Sequence, residues 1–296
     1  MSDFLDRLVH GPLLLLDGGL GSELIARGLP AGASPDLWTL ERPEDVRAVH
    51  RSYAEAGSDA VHANTFGANA ARLARFGLSD RIEEINRAAV RLARRAGAAY
   101  VIADVGPTGE FLPPVGHGEL ERWRRHFVQQ GTILSRTGID AFHVETMTDV
   151  REALVALEAL QEAAPEIPVL VSLTFERRKR GFFTIMGNPL GASLTRLWEA
   201  GAAAVGANCS ITSGDMRDLA RSALDSTTAP LVFQPNAGVP KRSGGRTRYA
   251  QPPEEFAEDL SSLLSEIRVV ALGGCCGTDP RFIAALRARM SCPQSR

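Results

Sequence analysis

Four cysteines occur in this 296-residue chain, and three of them sit in short glycine- or amide-rich motifs: Cys209 in Asn208-Cys209-Ser210, and Cys275 and Cys276 in Gly273-Gly274-Cys275-Cys276-Gly277. Thiolates are soft ligands that favour zinc over magnesium or calcium. Three protein thiolates with one position left open describe a catalytic zinc site, whereas a closed structural site uses a fourth protein ligand. Taken by spacing alone, the cysteines also admit buried packing or a redox role, since no CxxC is present. Gly273, Gly274 and Gly277 lack a Cβ, which suits a backbone that must turn sharply and approach a ligand closely.

Such a site needs elements that bring distant residues together. Eight short apolar runs read as buried parallel strands: 13–16, 60–63, 100–105, 141–144, 169–173, 203–205, 231–233 and 269–272. Helical periods lie between them, for example Val46, Val49 and Tyr53, then Ile82, Ile85 and Ala89, then Val150, Leu154 and Leu157. Pro43, Ser79, Thr148 and Asp279-Pro280 stand where those helices must start. The alternation predicts an α/β fold, a single (β/α)8 TIM barrel over residues 1–296 with a short helical lead-in over residues 1 to about 11. A doubly wound open sheet is the alternative. In a barrel, Cys209 ends the sixth strand and Cys275 and Cys276 end the eighth, so three sulfurs meet on the face where barrel enzymes build their sites.

Composition narrows the function classes. A formal net charge of -2 supplies no basic footprint for nucleic acid. No apolar run reaches the length of a membrane span, and the first residues are too polar for a signal peptide, which predicts a cytoplasmic protein without a membrane partner. Four cysteines are too few for a disulfide scaffold.

The motifs DGGLGSEL (17–24), NTFGAN (64–69), GPTG (106–109), ET (145–146), GANCS (206–210), PNAG (235–238) and GGCCGTDP (273–280) resemble the homocysteine S-methyltransferase family. NTFGAN and GPTG are most similar to the homocysteine-binding module of cobalamin-dependent methionine synthase. The resemblance implies a (β/α)8 barrel in which Cys209, Cys275 and Cys276 hold zinc, and in which Asp17, Glu145 and Asn236, with the backbone around Gly18 and Gly19, hold the amino acid part of homocysteine or a related thiol. Read without it, Asp17-Gly18-Gly19 is a turn, Glu145-Thr146 a helix cap and Asn236 a loop amide. Cys292 lies outside every motif and reads as a non-ligand. Two departures stand out: Ser22 replaces the usual threonine, and Ile211-Thr212-Ser213 replaces the glycine-proline that commonly follows GANCS.

The implied chemistry is methyl transfer to a thiol. A free thiol has a pKa of roughly 8.5, so little thiolate exists at neutral pH; a zinc ion with an open position removes that handicap and leaves the bound sulfur nucleophilic. Methionine is the expected product. The expected donor is methylcobalamin carried by a separate corrinoid protein or methyl-donor module, with S-methylmethionine or betaine as the alternative. A zinc hydrolase would need ligands other than these thiols. The six histidines, His10, His50, His62, His117, His126 and His143, lie outside the cysteine motifs and read as surface, core or strand residues, with His62 and His143 nearest to strand ends. A non-enzymatic zinc-thiolate or redox-sensing protein is the other class. The run Arg177-Arg178-Lys179-Arg180 reads as a solvated loop, with a docking patch as the lesser alternative.

Overall fold

The computed structural model describes residues 3–243 and 246–291. Eight parallel strands form one sheet in the order β1-β8-β7-β6-β5-β4-β3-β2. They are β1 (Leu14–Leu15), β2 (Ala60–His62), β3 (Tyr100–Val105), β4 (Ala141–Met147), β5 (Val169–Leu173), β6 (Ala204–Thr212), β7 (Leu231–Asn236) and β8 (Val269–Leu272). The remaining seam, between β1 and β2, is closed by an acidic side chain. The Asp59 amide donates to the Leu15 carbonyl at 2.7 Å, while the Leu15 amide donates to Asp59 Oδ2 at 2.8 Å. Helices between the strands surround this nearly closed TIM barrel, as the alternation predicts.

The barrel floor is packed by size. Ala60, Ala141, Ala204 and Ala271 come from the even strands, and Leu14, Ile102, Leu170 and Val232 from the odd ones, all buried in one cluster. Small and large side chains therefore alternate around the ring, as a filled barrel interior requires. The lead-in helix Asp3–His10 buries Phe4 and Leu8 in the same cluster, closing the end away from the strand C-termini. Because a strand repeats every two residues, the inward stripe climbs from this floor to a polar layer: Ala60 to His62, Ile102 to Asp104, Ala141 to His143 to Glu145, Leu170 to Ser172, and Val232 to Gln234 to Asn236.

Several expectations need correction. Strands β4, β6 and β7 run past their apolar stretches, so Glu145, Cys209 and Asn236 stand on strands instead of in loops. Thr148 does not cap the following helix: Asp149 does, its side chain accepting from the Arg151 amide. Ser79 opens a 3-10 turn that leads into the helix at Ile82. Residues 177–180 are exposed, as a solvated segment should be, but they belong to a hairpin, Glu176–Arg178 with Gly181–Phe183, instead of an irregular loop, and Arg177 pairs at the surface with Asp215 and Asp218. Cys292 lies outside the described residues. Among the described residues no helix is long and apolar enough to cross a membrane.

Candidate functional site

Cys209, Cys275 and Cys276 converge at the mouth, with all three Sγ atoms within 4.8 Å of one another and Cys209 Sγ 3.8 Å from Cys276 Sγ. Tetrahedral zinc with metal–sulfur bonds of about 2.3 Å sets its sulfurs about 3.8 Å apart, which the Cys209–Cys276 pair matches and which the cluster as a whole approaches. The thiols also need a cation. Hydrogen bonds from Cys275 and Cys276 pull the Cys209 thiol down to about 3, and the same contacts push Cys275 well up and Cys276 to about 12. One thiolate is thus stabilised by two neutral neighbours, and ionising all three calls for positive charge.

Backbone strain aims the first sulfur. Cys209 and Ser210 have φ of 58° and 60°, and Thr146 on the facing part of β4 has φ of 59°. Residues other than glycine are held in this left-handed region only where the surroundings over-determine them. The amide of Asn208 does so here, its Oδ1 accepting from the Thr146 N–H at 2.7 Å and its Nδ2 donating to Thr146 Oγ1 at 2.8 Å. The turn at Cys209 breaks the two-residue period of β6 and brings the thiol into the mouth. Past it, Thr212 caps the next helix, its hydroxyl accepting from the Asp215 N–H, so the missing glycine-proline leaves scarcely any loop.

The paired cysteines are held from both sides. The Cys275 N–H donates to the Pro235 carbonyl at 2.8 Å, and the Ala237 N–H donates to the Cys276 carbonyl at 3.0 Å. Ser22 Oγ accepts from the Gly277 N–H at 3.0 Å and donates to the Gly19 carbonyl at 2.9 Å, which shows what a hydroxyl at position 22 is for. A Cβ on Gly19 would stand 2.5 Å from the Cys275 carbonyl oxygen. Gly277 has φ of +81°, and a Cβ there would meet the Tyr249 ring at 2.1 Å. Only glycine fits either place.

The sulfurs open into a cavity of about 390 Å³, whose wall also includes Gly18, Gly19, Glu145 and His62. Burial pushes the Glu145 carboxyl up to about 7, against the lowering charge of His62. Asp17 and Asn236 do not reach the cavity wall. The carboxylate of Asp17, 1% exposed, faces His62, and the Asn236 side chain hydrogen-bonds Cys209 from outside the cavity.

Behind the wall runs a buried chain that reading by motif passes over. His62 Nδ1 lies 2.6 Å from Asp17 Oδ1, His62 Nε2 lies 2.9 Å from His143 Nδ1, and His143 Nε2 lies 2.8 Å from Ser172 Oγ. Burial works against a charged His62, but the Asp17 carboxylate outweighs it and the net shift is upward; burial and the His62 charge push His143 well down. A protonated His62 donating to both neighbours, with His143 neutral, satisfies every link. Glu145 lies within 4.8 Å of the two facing nitrogens, the outline of a metal triad. The ring centroids, however, are 5.2 Å apart against 2.9 Å for the nitrogens, an excess matching two ring radii. The nitrogens therefore face each other nearly in line, as in a hydrogen bond and not around a shared ion. Gln234, Asp36, Asp104 and Arg72 are further cavity residues that the motifs did not mark. For His143 and Gln234 the signal was available as the position two before a motif residue on the same strand, Glu145 and Asn236 respectively.

With this geometry established, comparison with known proteins is informative. The sequence pattern of the homocysteine S-methyltransferase family matches residues 14–290. Methionine synthase of Mycobacterium tuberculosis is 31% identical over 98% of this chain, and that of Mycobacterium leprae 29% over 98%. The chain spans 25% of the length of each. Among solved structures, the metallated homocysteine methyltransferase MmuM of Escherichia coli superposes with a TM-score of 0.79 at 27% identity, over 96% of this chain and 99% of that one. This chain belongs to the homocysteine S-methyltransferase family.

Proposed function

We propose that the protein transfers a methyl group to the sulfur of homocysteine, giving methionine, with zinc held by Cys209, Cys275 and Cys276. The observation that carries this reading is the triangle of sulfurs at the mouth, spaced for tetrahedral zinc and open to a cavity on one side. Bound there, zinc would lower the pKa of the incoming thiol and keep its sulfur nucleophilic at the position left open by the protein ligands.

The chain's own residues supply the rest. Glu145 accepts hydrogen bonds from the substrate ammonium, which in turn favours its ionised form. The backbone around Gly18 and Gly19 meets the substrate carboxylate through N–H groups other than that of Gly19, which is already donated to the Thr278 carbonyl and hydroxyl at 3.1 Å. Asn208 and Asn236 hold Cys209 in its strained position, and the glycine-rich loop fixes Cys275 and Cys276. Asp17 acts at one remove, through His62. Homocysteine enters with its head group against Glu145 and its sulfur toward the cysteines, and the methyl donor must approach from the opposite side.

Two donor classes come into question. The likeness to methionine synthases favours the methylcobalamin-bearing protein expected from NTFGAN and GPTG, and S-methylmethionine or betaine is the alternative. Methionine formation by zinc-loaded protein, with Cys275→Ser and Glu145→Gln alongside, tests the common part of the proposal. Loss of both zinc and activity is expected in the first variant, and loss of activity with zinc retained in the second. Full activity in Cys275→Ser would refute it.

A further inference from the structure

Strands β4 and β6 are not neighbours, since β5 stands between them, yet they are tied together at the mouth. β5 ends at Leu173, level with Met147 and Ala207, and both flanking strands depart from regular pairing close by. The register of β4 on β5 shifts between Val144 and Met147, and that of β6 on β7 between Asn208 and Thr212. Irregularities of this kind re-aim side chains beside active sites. The first covers Glu145 and Thr146, and the second covers Cys209 and Ser210.

One side chain spans the gap. Asn208 is fully buried, and its amide uses both ends on Thr146: Oδ1 accepts from the Thr146 N–H at 2.7 Å, and Nδ2 donates to Thr146 Oγ1 at 2.8 Å. Nδ2 also stands 3.9 Å from Cys275 Sγ, and the Thr146 side chain hydrogen-bonds the Glu145 carboxyl. The neighbours of the two linked residues have different tasks. Glu145, before Thr146, faces the substrate head group, whereas Cys209, after Asn208, faces the metal. Thr146, Cys209 and Ser210 all hold left-handed backbone, which a residue with a Cβ keeps only when its surroundings enforce it. A ligand that steadies one of these segments therefore steadies the other through the amide.

Building on the zinc and homocysteine reading above, we propose that Thr146 and Asn208 are positioning residues that couple the two halves of the site, so that a bound amino acid head group tightens the hold of Cys209 on zinc. Coupling between two binding equilibria is reciprocal, so bound zinc tightens head-group binding by the same factor. The metal is then held most firmly when an amino acid lies beside it.

The test uses 2-aminobutyrate, which is homocysteine without its sulfur and so separates the head group from the metal–thiolate bond. Zinc affinity of the full-length protein is measured by competition with a chelator, with and without saturating 2-aminobutyrate. Calorimetry gives 2-aminobutyrate affinity with and without zinc. Wild-type protein should bind zinc roughly tenfold more tightly when 2-aminobutyrate is present, within the usual range for coupled sites. Thr146→Val keeps the branched shape and the backbone N–H but loses the hydroxyl, and the factor should fall below about twofold, with Thr146→Ser restoring most of it. Asn208→Ala breaks the link from the other side and should give the same loss, so the outcome does not hang on the folding of one variant. A hydroxyl with a merely structural role would weaken each ligand and leave the factor intact. Zinc affinity indifferent to 2-aminobutyrate in the wild type, no binding of 2-aminobutyrate to either form, or an undiminished factor in the folded variants would overturn the proposal and leave the zinc-thiolate chemistry standing. Zinc bound equally well by Cys209→Ser would remove the zinc reading and this proposal with it.

Discussion

Asp17 and His62 are joined twice: the carboxylate receives the His62 backbone N–H at 2.9 Å and lies 2.6 Å from its Nδ1. Asp17 leaves β1 and His62 ends β2, so this pair continues the closure that Asp59 makes one layer below, at the seam where no strand pairing is formed.

Asp17→Asn is therefore expected to act on stability before it acts on substrate. Removing one partner of a buried charge pair costs about 3 kcal/mol, and denaturant unfolding should show a loss of that order. Homocysteine affinity should fall less than in Glu145→Gln. Unchanged stability with affinity lost would return Asp17 to direct substrate contact.

Glu145→Gln keeps the shape of the side chain and removes its charge. Zinc content should be unaltered, because a three-thiolate set needs no oxygen ligand. Calorimetric affinity for homocysteine should drop roughly 10- to 100-fold, as expected for a buried charge-assisted hydrogen bond. A variant that binds homocysteine normally would free Glu145 from this role.

The barrel was legible because eight apolar runs alternate with helical periods, and the convergence of Cys209 with Cys275 and Cys276 followed from that topology. The polar layer below the mouth was not. His62 and His143 sit in runs that read as apolar strands, and their partners Asp17 and Ser172 come from other strands, so no local spacing announces the chain. Cys209 was legible only as a strand end; its left-handed backbone depends on Asn208 and Thr146, which meet from two strands. Asp17 and Asn236 carried motif signals but stand behind the cavity wall, where a motif cannot distinguish contact from support.

His50 is buried in the helix Pro43–Glu55, and among the described residues neither of its ring nitrogens has a hydrogen-bond partner. Burial pushes it down from 6.5 to about 4. A lowered histidine favours the native state fully above the unfolded value, and that contribution is lost as pH falls from 6.5 towards 4. The displacement corresponds to about 3 kcal/mol. His50→Leu should therefore flatten the loss of stability between pH 6.5 and 4 and be neutral or stabilising at pH 7.5. His143 acts with the same sign and His62 with the opposite one, so the difference between wild type and variant isolates His50. Parallel stability profiles for the two proteins would contradict the assignment.

The measurement that bears most directly on the central claim is the sulfur coordination of bound zinc, read by X-ray absorption before and after homocysteine is added. Three protein sulfurs and one lighter ligand are expected in the zinc-loaded protein, and four sulfurs once homocysteine is bound. Cys292→Ser should give the same pair of spectra, and Cys276→Ser should bind zinc weakly or not at all. A zinc site that already holds four sulfurs without homocysteine, or that keeps three when homocysteine is bound, would contradict the account.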